Sequence, residues 1–280
     1  MRRLFSIFAA TLVLTSASAL AQTGQNGVPL LVSTAWLEEH LQDPNVVILW
    51  TDQGNHDEAL IANARRVPHE SLMTMAGGHG LAPTETLVEV LRGAGVSNDS
   101  HVVVYGEPVS AAWLFFVLDY LGHPRVSMLD ANITKWRSEN RPFARTPLVP
   151  ARGTFTPAPR AKLLATAADV QSAQRAGAVL DARSPREYEA GHIPGAKLLT
   201  FQDAYADPRM QTFKSRDELV AMFRGAGAAS GAPAVTYCQI GLRSSLLYFA
   251  ARLAGLDDVR NYVGSWSDWT ARKLPIEPAR

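Results

Sequence analysis

The feature that most constrains the fold of this chain is an internal repeat. The segment LVEVLRGAG at 87–95 returns as LVAMFRGAG at 219–227, and the same offset of 132 residues aligns HVVVYG from His101 with PAVTYC from Pro233. A further match follows once one residue is inserted. A repeated unit of this length indicates two copies of one domain.

Each copy alternates short apolar strands with helices. In the second copy we predict strands at 178–180 and 234–237 and helices at 216–224 and 244–254. Alternation of this kind produces a parallel sheet that is covered by helices on both faces. We therefore expect an α/β protein with two tandem domains, each built on a mainly parallel sheet.

The N-terminal residues have the composition of an export signal. Arg2 and Arg3 precede an apolar stretch, and Ala19-Leu20-Ala21 provides the small residues that a signal peptidase recognises. The apolar stretch is shorter than the roughly 20 residues that a membrane-spanning helix needs. We therefore predict cleavage after Ala21 and a periplasmic or secreted protein, with no stable membrane association after cleavage.

The predicted organisation has four parts. Residues 1–21 form the signal peptide, 22–145 the first domain, 146–160 a linker and 161–280 the second domain. The linker is predicted because this stretch is rich in Pro and small residues and has no hydrophobic periodicity.

Composition narrows the range of partners. The 280 residues are 47% hydrophobic and 19% charged, as in ordinary globular proteins, and the formal net charge is +1. A chain so close to neutral lacks the basic surface that nucleic acids require. The seven His residues and the single Cys have no metal-ligand spacing. We predict a small-molecule substrate, no nucleic acid, no metal and no other cofactor.

Cys238 is the only cysteine, so no internal disulfide can form. It directly follows the predicted strand 234–237 and precedes a helix that we expect to begin near Ser244. At this edge of a parallel sheet, the N–H groups at the start of the next helix face a ligand crevice and favour a thiolate. Gly241 lets the intervening loop curl around an anion, and Arg243 adds positive charge. We predict that Cys238 is a nucleophile rather than a packing residue.

Three motifs resemble those of the rhodanese family. The run CQIGLRS from Cys238 is similar to the family's active-site loop. The run DARSPREYEAGHIPGA at 181–196 resembles its Asp-x-Arg and Gly-His-Ile-Pro-Gly-Ala segments, and NYVGSWSDW at 261–269 resembles its Gly-Ser-Trp ending. The resemblance covers both halves. It implies two rhodanese-like domains of which only the second is catalytic, as in thiosulfate and 3-mercaptopyruvate sulfurtransferases.

The resemblance implies a ping-pong sulfurtransferase reaction. Cys238 takes a sulfur atom from an anionic donor as a persulfide and passes it to an acceptor such as a thiol or cyanide. Arg243 is the candidate catalytic cation. Arg183, from the Asp-x-Arg segment, is expected either to bind the donor or to form a structural ion pair with Glu187. The remaining predicted substrate-binding residues all lie in the loop: Gln239, Ile240, Gly241, Leu242 and Ser244.

The sequence leaves several alternatives for the substrate and the function. Gln239 and Ile240 match neither the basic residues of thiosulfate enzymes nor the Gly-Ser-Gly-Val run of mercaptopyruvate enzymes, and Arg243 suits either anion. We favour thiosulfate over mercaptopyruvate. A non-enzymatic persulfide carrier or binding module is a third hypothesis. A cysteine phosphatase is disfavoured, because its loop has five residues between Cys and Arg whereas this loop has four.

The first copy lacks the reactive residues. At three positions of the second-copy site it has other residues: Gly106 for Cys238, Ala111 for Arg243 and Trp50 for Asp181. Its counterpart of Gly-His-Ile-Pro-Gly-Ala is LIANAR at 60–65, so the sequence of this structural turn has drifted. We expect the first copy to pack on the second and to wall its cleft.

Two further residues have structural interpretations. His192 lies in the GHIPG turn, and we predict that it is a hydrogen-bonded structural residue rather than a general base. Val263 stands where the family often has Asp before Gly-Ser-Trp, whereas the first copy keeps Asp130 there. We therefore expect weaker support of the active-site loop.

Overall fold

The computed structural model describes residues 27–51, 59–74 and 80–278. The predicted signal peptide and its cleavage site lie outside the described residues. Each half of the described chain contains one parallel sheet with helices around it, which confirms the predicted α/β class. In the described residues no helix has the length and apolarity to cross a membrane.

The first half is built on a parallel sheet. In chain order its strands are β1 (Leu31–Val32), β2 (Val46–Thr51), β3 (Leu60–Ile61), β4 (Arg65–Arg66), β5 (Met73–Thr74), β6 (Gly80–Leu81), β7 (His101–Gly106), β8 (Val126–Leu129) and β9 (Phe143–Ala144). The parallel sheet has the strand order β1-β8-β7-β2-β4, while β3 pairs with β9 and β5 with β6 in antiparallel fashion. The helices are α1 (Thr34–Glu39), α2 (Thr84–Gly93), α3 (Pro108–Tyr120) and α4 (Ile133–Ser138).

The second half repeats this plan with four parallel strands. Its strands are β10 (Ala178–Asp181), β11 (Lys197–Leu198), β12 (Tyr205–Asp207), β13 (Thr212–Phe213), β14 (Ala234–Tyr237) and β15 (Val259–Asn261). The order in the sheet is β11-β10-β14-β15, and β12 and β13 form a hairpin. The helices are α5 (Ala167–Ala176), α6 (Pro185–Glu189), α7 (Arg216–Gly225), α8 (Leu242–Ala254) and α9 (Ser265–Ala271).

The two sheets agree in register as the repeat predicts. Trp50 pairs with Tyr105 across β2 and β7, and Asp181 pairs with Tyr237 across β10 and β14. Trp50 therefore occupies the position of Asp181, as the sequence alignment indicated. The central strands β2, β7, β10 and β14 are mostly apolar and almost wholly buried, as expected where helices cover both faces of a sheet.

The turn after β3 in the first copy is present although its sequence has drifted. Asn63, which aligns with Gly195 of the second copy, has φ +64°, and Gly195 has φ +75°. In both segments a backbone hydrogen bond between residues three apart closes the turn. Asn tolerates this left-handed conformation better than other residues with a side chain, because its short polar side chain bonds locally. The turn is kept with Asn63 in place of a glycine, so a comparison of residue identities alone does not reveal it.

The first copy lacks the active-site loop: its backbone connection between strand and helix is shorter, and its reactive side chains are absent. Glu107 directly follows β7 and caps α3, which begins at Pro108. In the second copy four residues, 238–241, separate β14 from α8. Helix α8 begins at Leu242, earlier than the expected start near Ser244, because Gly241 adopts φ +92° and serves as its N-cap.

The short connection between β7 and α3 makes a testable requirement for glycine at position 106, where Gly106 stands. Its φ is +140°, and a Cβ atom built there would lie 1.9 Å from the carbonyl oxygen of Thr51. We expect Gly106→Ala to lower the free energy of unfolding by about 3 kcal/mol, because a backbone atom cannot move aside cheaply. Urea denaturation measures this. Gly93→Ala in α2, where a Cβ atom has open space, is the control and should be neutral or stabilising; equal effects at both positions would contradict the interpretation.

The two halves share one apolar core through α3 and α8. Phe115 packs edge-on against Phe249 at 4.7 Å between ring centroids, and Phe116 packs against Tyr248 at 5.0 Å. Nearly all of α3 is buried, which explains why its sequence is apolar on every side. The prediction that the first copy packs on the second is confirmed.

The β12–β13 segment of the second half also contacts the first. The backbone N–H of Phe213 donates to the carboxylate of Asp130 at 2.8 Å. Asn132 donates its side-chain amide to Arg209 O at 2.7 Å and its backbone N–H to Met210 O at 3.0 Å. Asp130 therefore binds the second half rather than supporting a loop in its own half.

Candidate active site

Cys238 lies where β14 ends, at the start of a tight loop. The backbone N–H of Gly241 donates to Cys238 Sγ at 3.1 Å, so the loop curls back over the sulfur atom as predicted. Gly241 is required here, because a Cβ atom would lie 2.8 Å from the carbonyl oxygen of Val263. The loop therefore presents a backbone donor to the sulfur at the N-terminus of α8.

Residues 262–267 hold this loop in place through hydrogen bonds. The backbone N–H of Cys238 donates to Ser265 Oγ at 3.0 Å, and Ser265 in turn donates to Tyr262 O at 2.7 Å. The backbone N–H of Trp266 donates to Cys238 O at 3.0 Å. Ser265 has φ +54°, a strained conformation for a residue with a side chain. The loop therefore has several contacts with residues 262–267 although Val263 replaces the family's Asp, and weaker support of the loop stays a prediction.

Ser244 supports the loop and does not face a substrate. It is fully buried, and its Oγ lies 2.9 Å from Gly241 O and 2.7 Å from Asn261 Oδ1. Asn261 also donates to Gly241 O at 3.2 Å. The prediction that Ser244 binds substrate is therefore corrected, and Asn261, which the sequence reasoning missed, joins it as a structural residue.

The thiol of Cys238 is 1% exposed and lies at the base of the loop. Gln239 donates its side-chain amide to Ser267 Oγ at 3.1 Å. Four of the predicted site residues are half-buried around the loop and stay candidates for substrate contact: Gln239, Ile240, Leu242 and Arg243. Such burial favours a small donor.

Arg183 forms a buried ion pair. It is 2% exposed, and its guanidinium donates to the carboxylate of Asp181 at 2.7–3.0 Å and to Gly191 O at 2.8 Å. The ring of Trp266 stacks on it at 4.4 Å. The predicted pairing with Glu187 is wrong, since the partner of Arg183 is Asp181. The contact of Arg183 with the donor stays a prediction.

Glu187 instead binds Arg243. Arg243 Nη1 and Nη2 each donate to one carboxylate oxygen of Glu187 at 2.7 Å. This contact, aided by Ser184, lowers the pKa of Glu187 to about 2. The hydrogen bond to Glu187 is also the main cause of a raised pKa at Arg243, and the negative charge of Cys238 adds to it. Arg243 lies in the first turn of α8, two residues after Gly241, whose N–H donates to the sulfur.

The Glu187–Arg243 pair predicts a pH dependence of stability. Because the pKa of Glu187 falls from 4.5 to about 2 on folding, the pair stabilises the fold above about pH 4.5 and loses its contribution as the pH falls toward 2. We expect Glu187→Gln to cost no more than about 1 kcal/mol at pH 7, since a third of the side chain is exposed to solvent. Urea midpoints of both proteins should converge between pH 4.5 and 2; a gap that is constant with pH would contradict this assignment.

His192 is structural, as predicted. Its ring stacks on Tyr188 at 3.8 Å, its Nδ1 bonds to Tyr188 O at 3.1 Å, and its Nε2 lies 3.7 Å from the carboxylate of Glu277. The residue is 6% exposed. These contacts fix the turn after α6 and engage both ring nitrogens.

The arrangement around Cys238 supports nucleophilic chemistry on an anion. A backbone N–H, a guanidinium and the N-terminus of α8 all favour negative charge on the sulfur atom. Within the described ranges, no group of three or more His, Cys, Asp and Glu side chains is placed to hold a metal ion.

Comparisons with known proteins agree with this geometry. A family profile described as Rhodanese-like domain matches residues 166–272. A sulfur carrier protein of Thermus thermophilus is 32% identical over 267 residues, covering 86% of this chain and 93% of its own length. A putative thiosulfate sulfurtransferase of Mycobacterium bovis is 28% identical over 262 residues, covering 86% and 94%. The crystal structure of a 3-mercaptopyruvate sulfotransferase from Escherichia coli aligns with a TM-score of 0.76 at 25% identity, over 85% of this chain and 98% of that one.

Proposed function

Because this chain belongs to the rhodanese family, we propose that it is a sulfurtransferase that moves the outer sulfur of thiosulfate to a thiophilic acceptor through a persulfide on Cys238. The observation that carries the proposal is the placement of the Cys238 sulfur under the Gly241 N–H at 3.1 Å, at the N-terminus of α8, with Arg243 in the first turn of that helix. Each of these groups stabilises a negatively charged sulfur atom.

The first half-reaction loads the enzyme. The Cys238 thiolate attacks the outer sulfur of thiosulfate, a new S–S bond forms, and the bond between the two donor sulfurs breaks with its electron pair leaving on sulfite. The product is the persulfide anion of Cys238. The Gly241 N–H, which contacts the thiolate sulfur, holds this part of the adduct in place while charge moves to the terminal sulfur.

The second half-reaction returns the free thiolate. A nucleophile such as cyanide attacks the terminal sulfur, the Cys238–sulfur bond breaks toward Cys238, and thiocyanate leaves. No second cysteine exists in the chain to attack the persulfide, so the acceptor must come from outside. Covalent catalysis of this kind separates donor and acceptor in time, which gives ping-pong kinetics.

Two other functions have specific support. The Escherichia coli structure belongs to a 3-mercaptopyruvate sulfotransferase, and the carboxylate of mercaptopyruvate suits the guanidinium of Arg243 as well as thiosulfate does. The Thermus thermophilus relative is a sulfur carrier, a function that needs loading of Cys238 without rapid turnover. We favour thiosulfate because it is compact enough for a sulfur atom that is 1% exposed.

A paired assay tests the proposal. Thiocyanate formation is followed with cyanide as acceptor and either thiosulfate or mercaptopyruvate as donor, at equal concentrations. We expect turnover with both and a higher kcat/KM for thiosulfate. A higher kcat/KM for mercaptopyruvate would show that mercaptopyruvate, not thiosulfate, is the preferred sulfur donor. Loading of one sulfur without turnover would support the carrier function, and an absence of both would contradict the proposal.

We also propose that the protein is exported and acts in the periplasm or outside the cell. The support is the charged and apolar start of the sequence and the small residues that end at Ala21. Mass analysis of the protein recovered from its native host tests this, since export predicts an N-terminus at Gln22. An intact N-terminus in the cytosolic fraction would contradict it.

A further inference from the structure

We propose that Glu187 is a positioning residue for sulfur transfer, which acts by holding the guanidinium of Arg243 against Cys238. The inference rests on the proposed function. The prediction from sequence considered Glu187 only as a partner of Arg183, and the structure pairs it with Arg243, in the first turn of the helix whose N-terminus faces the Cys238 sulfur.

The contact between Glu187 and Arg243 fixes the orientation of the guanidinium. Two parallel hydrogen bonds of 2.7 Å join the two terminal nitrogens to the two carboxylate oxygens. A two-point contact between planar groups restrains both distance and rotation, which a single hydrogen bond cannot do. Arg243 has a long and flexible side chain, so without this contact its position beside Cys238 would not be defined.

Glu187 is itself held in place. Its carboxylate accepts the backbone N–H of Ser184 at 3.0 Å and the Ser184 hydroxyl at 2.7 Å, while Ser184 Oγ accepts the backbone N–H of Glu187 at 3.3 Å. This capping box fixes Glu187 in the first turn of α6, where a helix favours negative charge. Helix α6 follows β10 through the buried Asp181–Arg183 pair. The carboxylate therefore has a rigid connection to the sheet that carries Cys238.

Because Glu187 is negatively charged and Arg243 positively charged, their replacement should change kcat and KM in different ways. Glu187→Gln keeps the size of the side chain and a hydrogen-bonding oxygen but removes one negative charge next to the anion-binding cation. The donor should then bind no more weakly, while the loosened guanidinium supports the transition state less well. We expect kcat to fall about tenfold without a rise in the KM for thiosulfate. Arg243→Gln, which removes the cation, should raise KM as well as lower kcat.

The chain offers a matched control on α5. Asp169 has the same two roles as Glu187: its carboxylate forms a capping box with Thr166 and pairs with Arg260 at 2.8 Å. Asp169→Asn therefore removes a capping carboxylate and an ion pair of the same kind without touching Cys238 or Arg243. We expect it to leave kcat and KM for thiosulfate unchanged.

A second readout does not depend on turnover. Because Cys238 is the only cysteine, the thiolate absorbance of the protein, corrected with Cys238→Ser, reports this residue alone. If Glu187 holds the guanidinium against the sulfur, the pH profile of thiolate absorbance should move to higher pH in Glu187→Gln, because Arg243 is then no longer held near the thiolate and we expect its displacement to outweigh the removal of the Glu187 charge. Glu187→Asp, which keeps the charge, should recover part of both the profile and kcat.

The outcomes of these measurements are distinct. A lower kcat without a higher KM, together with a shift of the thiolate profile to higher pH, supports the proposal. A thiolate profile that is unchanged or moves to lower pH would show that Arg243 keeps its position without Glu187, and would overturn it. An equal loss of kcat in Asp169→Asn would also overturn it. If the wild-type protein turns over no donor, the proposed function fails, while the thiolate profile still decides whether Glu187 positions Arg243.

Discussion

Replacement of Cys238 by Ser is expected to reduce thiocyanate formation at least about 10³-fold with every donor. A hydroxyl is a much weaker nucleophile than a thiolate, and its adduct with sulfur would not be a persulfide. The substitution changes one buried atom in a loop that is held by backbone contacts, so the fold should be retained. The measurement is the steady-state rate with cyanide as acceptor, beside a thermal unfolding curve.

The unfolding curve is the control for this first prediction. An unchanged unfolding midpoint together with lost activity assigns the loss to chemistry. If Cys238→Ser retained a substantial share of wild-type turnover, sulfur transfer would not pass through this residue. The persulfide mechanism would then be wrong for this chain, whatever its family.

Replacement of Asp119 by Ala is expected to give the largest loss of stability, about 3 kcal/mol or more. Asp119 lies on α3 and is nearly buried where the two halves meet. It pairs with Arg160 at the end of the predicted linker and with Arg252 on α8, at 2.7 Å to the latter, and it accepts the hydroxyl of Tyr248 at 2.5 Å. Its removal leaves two poorly solvated guanidinium groups without a counter-charge between the halves.

A surface ion pair provides the control for the second prediction. Asp258 pairs with Arg260 at 3.1 Å and is about half exposed, so Asp258→Ala should cost less than about 1 kcal/mol. Urea denaturation of both variants measures the difference. Similar small effects at Asp119 and Asp258 would show that the buried cluster does not hold the halves together. A broader, biphasic transition in Asp119→Ala would show that the halves had begun to unfold separately.

The sequence predicted the features that local patterns determine. The repeat predicted two equivalent sheets, and apolar periodicity predicted β14 at 234–237 and α7 from Arg216 with their bounds nearly correct. The position of Cys238 after β14 and the curl at Gly241 followed from motif and backbone chemistry. These features depend on residues that are close together in the chain.

Contacts between distant residues were not predictable in the same way. Glu187 and Arg243 are 56 residues apart, and nothing near either residue identifies its partner. The same applies to Asp119 and Arg252, which are 133 residues apart. The ion-pair partner of Arg183 was predicted wrongly because a motif identifies an arginine near the site but not the direction of its side chain, which points to Asp181.

Backbone conformation accounts for the other differences between prediction and structure. Asn63 adopts the left-handed conformation of Gly195, so the turn is present although its sequence has drifted. There the geometry was kept while the residue changed, and sequence comparison records only the residue. Ser265, which matches the family's Gly-Ser-Trp motif, has positive φ and accepts the Cys238 N–H, and neither property can be read from the motif.

The most direct test of the central claim is the intact mass of the protein after one exposure to thiosulfate and removal of excess donor. The account predicts a gain of one sulfur atom, located on the peptide that contains Cys238, and its complete loss on addition of cyanide with release of one equivalent of thiocyanate. The wild-type protein should show this and Cys238→Ser should not. A protein that forms thiocyanate at the steady-state rate without ever carrying the extra sulfur would contradict the account.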